Sequence, residues 1–386
     1  PLPWSYDEVD LSPEERRRLQ ELVQQPVAPG FIQVIQNFPS GFVRHPQAGV
    51  VIGRTMFETD RLPLSWVEAC NRLDFIWVPS EFNRQTFAQA GVQSEKLVVI
   101  PGCLDATPFV HEEQQQAPLP RIARELSEEE HFVFLSVFDW TLHKGWDVLL
   151  RAFLEAFSDE QEVLLVLKVW STMGYRAEHI QEQAATLIWR ELDHDLLADR
   201  RVRFIHERLT RNDLQALYRA TDAFVLPSRG EGWGRPYMEV MACGKPTIGT
   251  NWSGNTAFMN AENSYLIDYE LQAVPESGWR EIPTYYGHRW AEPDPEHLKQ
   301  LLRRVFEERG EAAAIGQRAR EHVLSHFNRQ TVGRMIAQEM ERLQEAFPTK
   351  KRAGSSRDEN ESSNRKESEE WTDTRFERTE ANLARR

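Results

Sequence analysis

Residues 223–250 read AFVLPSRGEGWGRPYMEVMACGKPTIGT, which places a glycine-rich turn between two short apolar runs. The first run predicts a strand that ends at Pro227. Pro236 predicts a helix that begins around Gly234, because proline is favoured in a first helical turn. The second run, PTIGT, predicts the next strand. A strand, a helix and a strand in this order form one unit of a parallel sheet, and such sheets bind ligands outside the carboxyl ends of their strands.

The turn combines permissive backbone with two carboxylates. Gly230, Gly232 and Gly234 allow the backbone to approach a ligand closely, and the free N–H groups that open the helix favour an anion such as a pyrophosphate. Glu231 and Glu239 would be repelled by that anion unless they face hydroxyl groups, which carboxylates bind strongly. Sugar and ribose both carry such hydroxyls, so one carboxylate is expected on each. The same residues are also typical of an ordinary helix start, since the macrodipole favours acidic side chains there.

Alternating strand and helix patterns extend over most of the chain. Apolar, β-branched runs predict strands, and amphipathic stretches such as SWVEACNRL and EFNRQTFAQA predict helices between them. A polar, charged segment at 111–130 separates two such sets. The sequence therefore predicts an α/β protein with two Rossmann-like, doubly wound domains facing a cleft. The predicted strands are 31–35, 50–53, 75–78 and 97–100 in the first set, and 131–138, 163–170, 202–205, 223–227 and 246–250 in the second.

Both ends of the chain differ from this pattern. Residues 11–25 predict a helix, with Ser12 as its N-cap and Glu15 completing a capping box. Residues 348–386 are rich in charge and serine and almost free of aliphatic side chains, which predicts a disordered tail.

Composition narrows the functional classes. Acidic residues outnumber basic ones by 60 to 46, and the formal net charge of -14 disfavours a nucleic-acid partner. Cys70, Cys103 and Cys243 show no CxxC spacing, which argues against a disulfide framework or a structural zinc site and fits a reducing compartment. No apolar run approaches the roughly 20 residues that span a bilayer. These features predict a soluble, cytoplasmic protein.

The segment LPSRGEGWGRPYMEVMACGKPTIGT resembles the donor-binding signature of the retaining glycosyltransferases of family 4, in which a Glu-x7-Glu pair precedes small residues and a G-x-P strand start. The resemblance runs from about Val50 to about His326. It implies the GT-B fold and a metal-independent hexosyltransferase that uses a UDP- or GDP-sugar and retains its anomeric configuration. Glu231 lies nearer the strand end and is predicted to meet the transferred sugar, whereas Glu239 is predicted to meet the ribose.

SVFDWTLHKGWDVLLRAF (136–153) resembles the family's first segment of the donor domain, where a Lys-Gly pair precedes a helix. The resemblance places Lys144 where its ammonium neutralises the diphosphate leaving group. Many relatives carry a second basic residue a few positions earlier, whereas this chain has Phe-Asp-Trp at 138–140. His143 and Arg235 are the candidate replacements.

Further site residues follow from the same resemblance. Glu58 follows a strand and is expected either to orient an acceptor hydroxyl or to cap the turn before Pro63. The predicted catalytic residues are Glu231, Lys144 and Glu58. The predicted donor-binding residues are Gly232, Trp233, Gly234, Arg235, Glu239, Leu209 and Thr210 beside the base, and Ser253 and Gly254 beside the phosphates.

No cofactor and no metal site is predicted, and Asp193-His194-Asp195 is interpreted as a solvated helix end despite its D-x-D form. The expected partners are a nucleoside-diphosphate sugar and a carbohydrate or lipid-linked acceptor, with peripheral membrane association as an option. Residues 1–120 are predicted to form an acceptor-side domain that is incomplete at its N-terminus, because the family's opening strand and glycine-rich loop are not found. The donor-binding domain is predicted at 121–326 and a C-terminal helix at 327–347.

Two other functions stay open at this point. An epimerase or phosphorylase on the same architecture would need acid/base residues around the sugar or a pyridoxal-bearing lysine. A truncated or degenerate sugar-nucleotide-binding protein without activity would fit the missing opening strand and the altered basic position.

Overall fold

A computed structural model describes residues 13–110, 121–128, 130–160 and 162–347, and the statements below concern those residues. The predicted N-cap Ser12, residues 111–120 of the predicted junction and the predicted disordered tail lie outside them. The helix predicted at 11–25 is present as α1, Pro13–Gln24. The predicted domain boundaries stay predictions.

The first sheet has four parallel strands in the order β1-β2-β3-β4. The central strands are largely buried, as expected for a parallel sheet covered on both faces. Ser80 begins α3 by accepting a hydrogen bond from the Asn83 N–H. The elements are β1 (Phe31–Gln36), β2 (Ala48–Arg54), α2 (Leu64–Asn71), β3 (Phe75–Val78), α3 (Glu81–Ala90), β4 (Leu97–Val99), α4 (Thr107–Val110) and α5 (Arg121–Glu128).

The second sheet has six parallel strands in the order β10-β9-β8-β5-β6-β7. The chain lays down β5, β6 and β7 in one direction and then returns to place β8, β9 and β10 on the other side of β5. A ligand crevice forms at such a reversal. The elements are β5 (Phe132–Asp139), α6 (Trp146–Ala156), β6 (Val163–Trp170), α7 (Ala177–Leu192), β7 (Val202–Ile205), α8 (Arg211–Ala220), β8 (Ala223–Leu226), α9 (Arg235–Ala242), β9 (Thr247–Thr250) and β10 (Tyr265–Ile267).

A short excursion follows β10, and we call residues 269–293 the hairpin segment. It contains β11 (Tyr269–Ala273), α10 (Glu276–Glu281), a 3-10 turn (Pro283–Tyr285) and β12 (Arg289–Pro293), and its two strands pair antiparallel. Val274, Tyr285 and Trp290 pack into the core of the first sheet beside Phe57 and Trp66. The hairpin segment therefore carries chain from the second sheet onto the first.

Three helices complete the described chain: α11 (Pro295–Glu307), α12 (Arg309–His326) and α13 (Arg329–Ala346). Val332 and Leu343 of α13 pack against Val50, Ile52 and Trp77 of the first sheet. The prediction of two α/β units, each with a parallel sheet, is confirmed; the strand order reverses in the second sheet, whereas the described strands of the first sheet follow chain order. Strand β10 and the hairpin segment were not predicted, because these strands are short and β11 is mostly exposed.

Candidate active site

Two loops meet at the carboxyl edge of the second sheet, where the strand order reverses. Strand β5 leads into a 3-10 turn, Leu142–Lys144, and its neighbour β8 leads into the glycine-rich turn. Gly145 has a φ of 68°, and a Cβ there would lie 2.0 Å from the Pro227 carbonyl oxygen. Only glycine fits this approach, which holds Lys144 against the residues that follow β8.

Glu231 and Lys144 form an ion pair in which Lys144 Nζ lies 2.6 Å from Glu231 Oε1. Their side chains are 9% and 16% exposed, so water screens the pair weakly. The Glu231 backbone is held as well: its N–H donates to Ser253 Oγ at 2.7 Å, and its carbonyl accepts from the Gly254 N–H at 2.8 Å. Three loops thus fix one carboxylate beside one ammonium.

These contacts give Ser253 and Gly254 structural roles, and their predicted contact with phosphate stays a prediction. Ser253 Oγ and the Gly254 N–H, expected to bind phosphate, instead hold the Glu231 backbone. Gly254 must be glycine for a steric reason, since a Cβ would lie 2.3 Å from the Gly232 carbonyl oxygen. Ser253 has a φ of 73°, a strained conformation for a residue with a side chain. Strain of this kind clusters at functional sites.

Close packing against the first sheet accounts for two glycines of the turn. A Cβ on Gly230 would lie 2.6 Å from the Glu58 carbonyl oxygen, and one on Gly232 would lie 2.6 Å from Met56 Cγ. Gly230 and Gly232 therefore allow a close approach to residues 56–58 of the protein itself, whereas the sequence predicted a close approach to a ligand. Gly234 has a φ of 91° and caps α9, which begins at Arg235 as predicted.

Glu239 lies on α9 and has two partners. Arg235, one turn earlier, donates to Glu239 Oε1 at 2.9 Å, and the Tyr218 hydroxyl of α8 donates to Oε2 at 3.1 Å. The Arg235 side chain is 54% exposed and that of Glu239 is 16% exposed. Tyr218 was missed by sequence reasoning, because a buried helical tyrosine looks like any other core residue.

Glu58 follows β2 and lies where the first sheet contacts the glycine-rich turn. Its Oε1 accepts a hydrogen bond from the Tyr285 hydroxyl, and its carbonyl oxygen accepts from Trp252 Nε1 at 3.3 Å. Burial raises the pKa of the Glu58 carboxyl above its ordinary value, and Lys144 and Glu231 both act on its charge. Of the two roles expected for Glu58, this placement favours the cleft over the turn before the next helix.

Trp233 was expected to face the donor, and the structure gives it a packing role. It is 5% exposed, and its ring centroid lies 5.1 Å from that of Phe258 and 5.8 Å from that of Phe327. Its indole nitrogen is buried without a hydrogen-bond partner. A core contact, rather than an open stacking face, explains its position in the turn.

Leu209 and Thr210 also have structural roles. Thr210 caps α8 by accepting from the Asp213 N–H at 3.1 Å, and its own hydroxyl donates to the Asp213 carboxylate at 2.8 Å. Leu209 is partly buried against the core of the second sheet. Their predicted contact with a nucleotide base stays a prediction, but the Thr210 hydroxyl is already used in the cap.

His143 is unsuited to the role of a second phosphate-binding cation. Burial lowers its pKa well below the ordinary value, and the charges of Lys144 and Arg229 lower it further, so the ring is neutral at neutral pH. Its Nδ1 lies 2.9 Å from Thr141 Oγ1. His143 therefore carries no charge here, and Arg235 is the stronger candidate for the second cation.

Arg229 is a buried residue that links three segments next to the candidate site, and sequence reasoning missed it. Its guanidinium lies 2.8 Å from the Asp147 carboxylate and 2.6 Å from that of Glu292, and it stacks 5.0 Å from the Trp290 ring. An arginine that is 4% exposed needs such partners, since an unpaired buried charge is costly. Arg229 thus joins α6, the glycine-rich turn and the hairpin segment.

Among the described residues, no group of three or more His, Cys, Asp or Glu side chains is arranged to hold a metal ion. Asp193 ends α7 with a φ of 50°, and His194 pairs with Asp199 at 2.9 Å, so this run occupies a helix end as predicted. None of the helices in the described ranges is both long and apolar enough to cross a membrane.

Residues 129–274 match the family model of group 1 glycosyl transferases. This group 1 segment begins before β5 and extends into the hairpin segment. It contains Lys144, Glu231, Glu239 and Ser253, whereas Glu58 and Tyr285 lie outside it.

Individual proteins give the same picture. The chain is 28% identical over 186 residues to the D-inositol 3-phosphate glycosyltransferase of Salinispora tropica, which covers 46% of this chain and 32% of that protein. It is 35% identical over 83 residues to the O-antigen chain mannosyltransferase B of Escherichia coli, which covers 19% of this chain and 22% of that protein. The matched regions thus span about a third or less of these relatives.

Among solved structures, Anabaena HepE in complex with UDP and glucose superposes with a TM-score of 0.58 at 18% identity, over 76% of this chain and 72% of HepE. At this identity the likeness concerns the fold, which is of the GT-B glycosyltransferase type.

Proposed function

We propose that this protein is a retaining glycosyltransferase that moves a hexose from a UDP- or GDP-sugar to an acceptor hydroxyl on a carbohydrate or lipid-linked acceptor. The observation that carries the proposal is the Lys144–Glu231 ion pair, placed where the strand order of a GT-B sheet reverses. A cation for a diphosphate and a carboxylate for sugar hydroxyls stand side by side there. The group 1 segment contains both residues.

Binding of the donor would exchange the partners of this pair. The diphosphate replaces Glu231 beside the Lys144 ammonium, and the Glu231 carboxylate turns to a hydroxyl of the sugar. The exchange breaks a buried ion pair, and the diphosphate compensates by taking the place of Glu231 beside the Lys144 ammonium. The loop contacts that hold both residues remain, and preorganised charges stabilise a transition state well. Glu239 would exchange Arg235 for the ribose hydroxyls, and the Arg235 guanidinium is the second cation proposed for the diphosphate.

Transfer then follows from positioning. The bond between the anomeric carbon and the diphosphate oxygen breaks, and the acceptor oxygen bonds to the same face of that carbon. The acceptor proton passes to the departing phosphate oxygen, so the products are the glycoside and a nucleoside diphosphate. Glu58 would orient the acceptor hydroxyl. This scheme uses no side-chain nucleophile and no divalent ion, and its rate derives from proximity and electrostatic stabilisation.

The test is release of nucleoside diphosphate from UDP-glucose and GDP-mannose, with and without a panel of sugar acceptors, in the presence of a chelator. We expect turnover with one donor, acceptor-dependent product with the donor's anomeric configuration, and no loss in the chelator. An inverted product would overturn retention. Activity that the chelator abolishes and manganese restores would overturn metal independence.

A second candidate is a sugar-nucleotide-binding protein without activity. It is favoured by the neutral state of His143, which leaves the diphosphate one cation short of the number expected. Calorimetry decides between the two: binding of UDP or GDP without turnover of either donor supports the binding protein. Interconverted sugars without an acceptor would instead indicate an epimerase.

A further inference from the structure

The hairpin segment brings a tyrosine to the candidate site from far along the chain. Tyr285 lies 227 residues after Glu58, is 1% exposed, and donates its hydroxyl proton to Glu58 Oε1. Its ring also packs edge-on to Phe57, with centroids 5.7 Å apart. Among the described residues, no other side chain hydrogen-bonds to the Glu58 carboxylate.

The hairpin segment is anchored on the first sheet beside Tyr285. His288 Nδ1 lies 2.8 Å from Thr59 Oγ1, and Arg289 Nε donates to the Asp60 carboxylate at 3.0 Å. The Asp60 N–H also donates to the Arg289 carbonyl oxygen at 3.1 Å. These contacts join the backbone that follows Glu58 to the backbone that follows Tyr285.

The same segment is anchored on the second sheet. The Glu281 carboxylate accepts from the Leu142 N–H at 2.6 Å, in the turn that carries Lys144. Glu292 pairs with Arg229, which lies two residues before Glu231. Tyr285 therefore lies in a segment that contacts the loop after β2, which carries Glu58, as well as the loops that carry Lys144 and Glu231.

We propose that Tyr285 is a positioning residue for glycosyl transfer, whose hydroxyl occupies one oxygen of the Glu58 carboxylate and leaves the other directed at the acceptor hydroxyl. This role rests on the proposed function. It adds a residue from outside the group 1 segment to the acceptor side of the site.

The charges around Glu58 make the role measurable. Burial raises the pKa of the Glu58 carboxyl, and the Glu231 charge raises it further, while the Tyr285 hydrogen bond and the Lys144 charge lower it. Removal of the Tyr285 hydroxyl takes away a group that stabilises the charged form, so the pKa of Glu58 must rise. If transfer requires the charged Glu58 carboxylate, then as the pH falls this group is protonated, and activity is lost, at a higher pH than in the unaltered protein.

The groups that face Tyr285 itself do not replace this contact. His143 packs edge-on to the Tyr285 ring at 5.9 Å and is neutral because burial lowers its pKa. The carboxylates of Glu231 and Glu281 act on the tyrosine only to raise its pKa, as burial and Glu58 do, so it stays protonated and able to donate.

The experiment compares Tyr285→Phe with Tyr286→Phe. Tyr286 is the adjacent tyrosine, is 71% exposed and contacts Trp279, so it is a matched control. The first measurement is a pH titration of protein labelled with ¹³C at the glutamate carboxyl carbons, with the Glu58 signal assigned by its loss in Glu58→Gln. The second is the pH dependence of kcat/KM for UDP-glucose hydrolysis, in which water serves as the acceptor, together with UDP affinity.

In Tyr285→Phe we expect the Glu58 titration to move to higher pH and the acid limb of kcat/KM to move with it, with a loss of about tenfold on that limb, as for one hydrogen bond to a charged group. UDP affinity and the control variant stay unchanged. An unmoved Glu58 titration, or an equal loss at every pH, would overturn the role of Tyr285. Absence of turnover in the unaltered protein with every donor tested would instead overturn the proposed function, and the titration would still decide whether Tyr285 controls Glu58.

Discussion

Glu231 and Glu239 differ in how the chain holds them, although they lie eight positions apart on one motif. Glu231 follows a strand end, and its partners, Lys144, Ser253 and Gly254, come from two other loops of the sheet. Glu239 lies on a helix, and its partners come from the preceding turn and from α8. The first carboxylate is held by tertiary structure and the second mainly by helix geometry.

The difference has an energetic consequence. Removing one member of a buried ion pair leaves an uncompensated charge, which is strongly destabilising. An ion pair between residues four apart on an exposed helix face contributes only about 0.3–0.5 kcal/mol. Glu231 therefore gives up Lys144 only to a ligand that brings another negative charge, whereas Glu239 is suited to exchanging its partner at little cost.

The largest effect is expected from Glu231→Gln. The amide keeps the size and one acceptor but removes the charge that would face the sugar as positive charge develops at its anomeric carbon. We expect kcat to fall by about 10²-fold or more, with UDP affinity undiminished, because the diphosphate no longer competes with a Glu231 charge for Lys144. Turnover, UDP calorimetry and Tm on the same sample decide the outcome. Near-normal turnover with a lowered Tm would mean that Glu231 has only a structural role.

Glu239→Ala is the counterpart and should affect binding instead. If Glu239 accepts from the ribose hydroxyls, the affinity for UDP or GDP falls by about 1.5–3 kcal/mol, roughly ten- to a hundredfold. Isothermal calorimetry with the bare nucleotide measures this loss. An unchanged dissociation constant would remove Glu239 from the donor site and leave Glu231 as the one carboxylate of the motif with a proposed ligand role.

Ser253→Ala tests whether Glu231 depends on its tertiary support. The change leaves the buried Glu231 N–H without its acceptor, which costs about 1–3 kcal/mol of unfolding free energy. Ser253→Gly loses the same hydroxyl but relieves the strain of a positive φ, so it should be the more stable of the two variants. Urea unfolding of both variants measures the difference. Equal stabilities would contradict the claim of strain.

The smallest effect on stability is expected from Arg235→Ala. This change removes the helix pair with Glu239 and should lower the unfolding free energy by only about 0.3–0.5 kcal/mol. Arg280→Ala breaks an equivalent pair with Glu276 on α10 and is its control. UDP affinity should fall in Arg235→Ala alone, because that cation is the one expected beside the diphosphate. Equal UDP affinity in both variants would contradict this assignment.

Most of the fold was predictable because strand patterns are local. Apolar, β-branched runs gave the bounds of Phe75–Val78, Val163–Trp170 and Val202–Ile205 as observed. The hairpin segment was not predictable, since β11 has mostly exposed residues and no alternating pattern. Val274 lies just beyond the end of β11, and Trp290 of β12 packs into the core of the first sheet, so neither forms a local pattern with its neighbours.

The candidate site divides in the same way. The glycine-rich turn, the two glutamates and Lys144 were found from spacing and resemblance, and the structure brings Lys144 and Glu231 together. The Ser253 and Gly254 contacts were assigned to phosphate, because a sequence does not reveal which backbone groups are already paired. No sequence pattern pointed to Tyr218 or Arg229, since their roles depend on burial and on partners from distant segments.

The sequence by itself determined the features that depend on near neighbours: most of the strands and helices, the start of α9 at the glycine-rich turn, and the spacing that places Arg235 and Glu239 one helical turn apart. Only the tertiary structure decided the partners of Glu231, the neutral state of His143 and the contact between Tyr285 and Glu58. Propensity, turn chemistry and helical spacing act over a few residues, whereas hydrogen-bond partners and burial depend on which distant segments pack together.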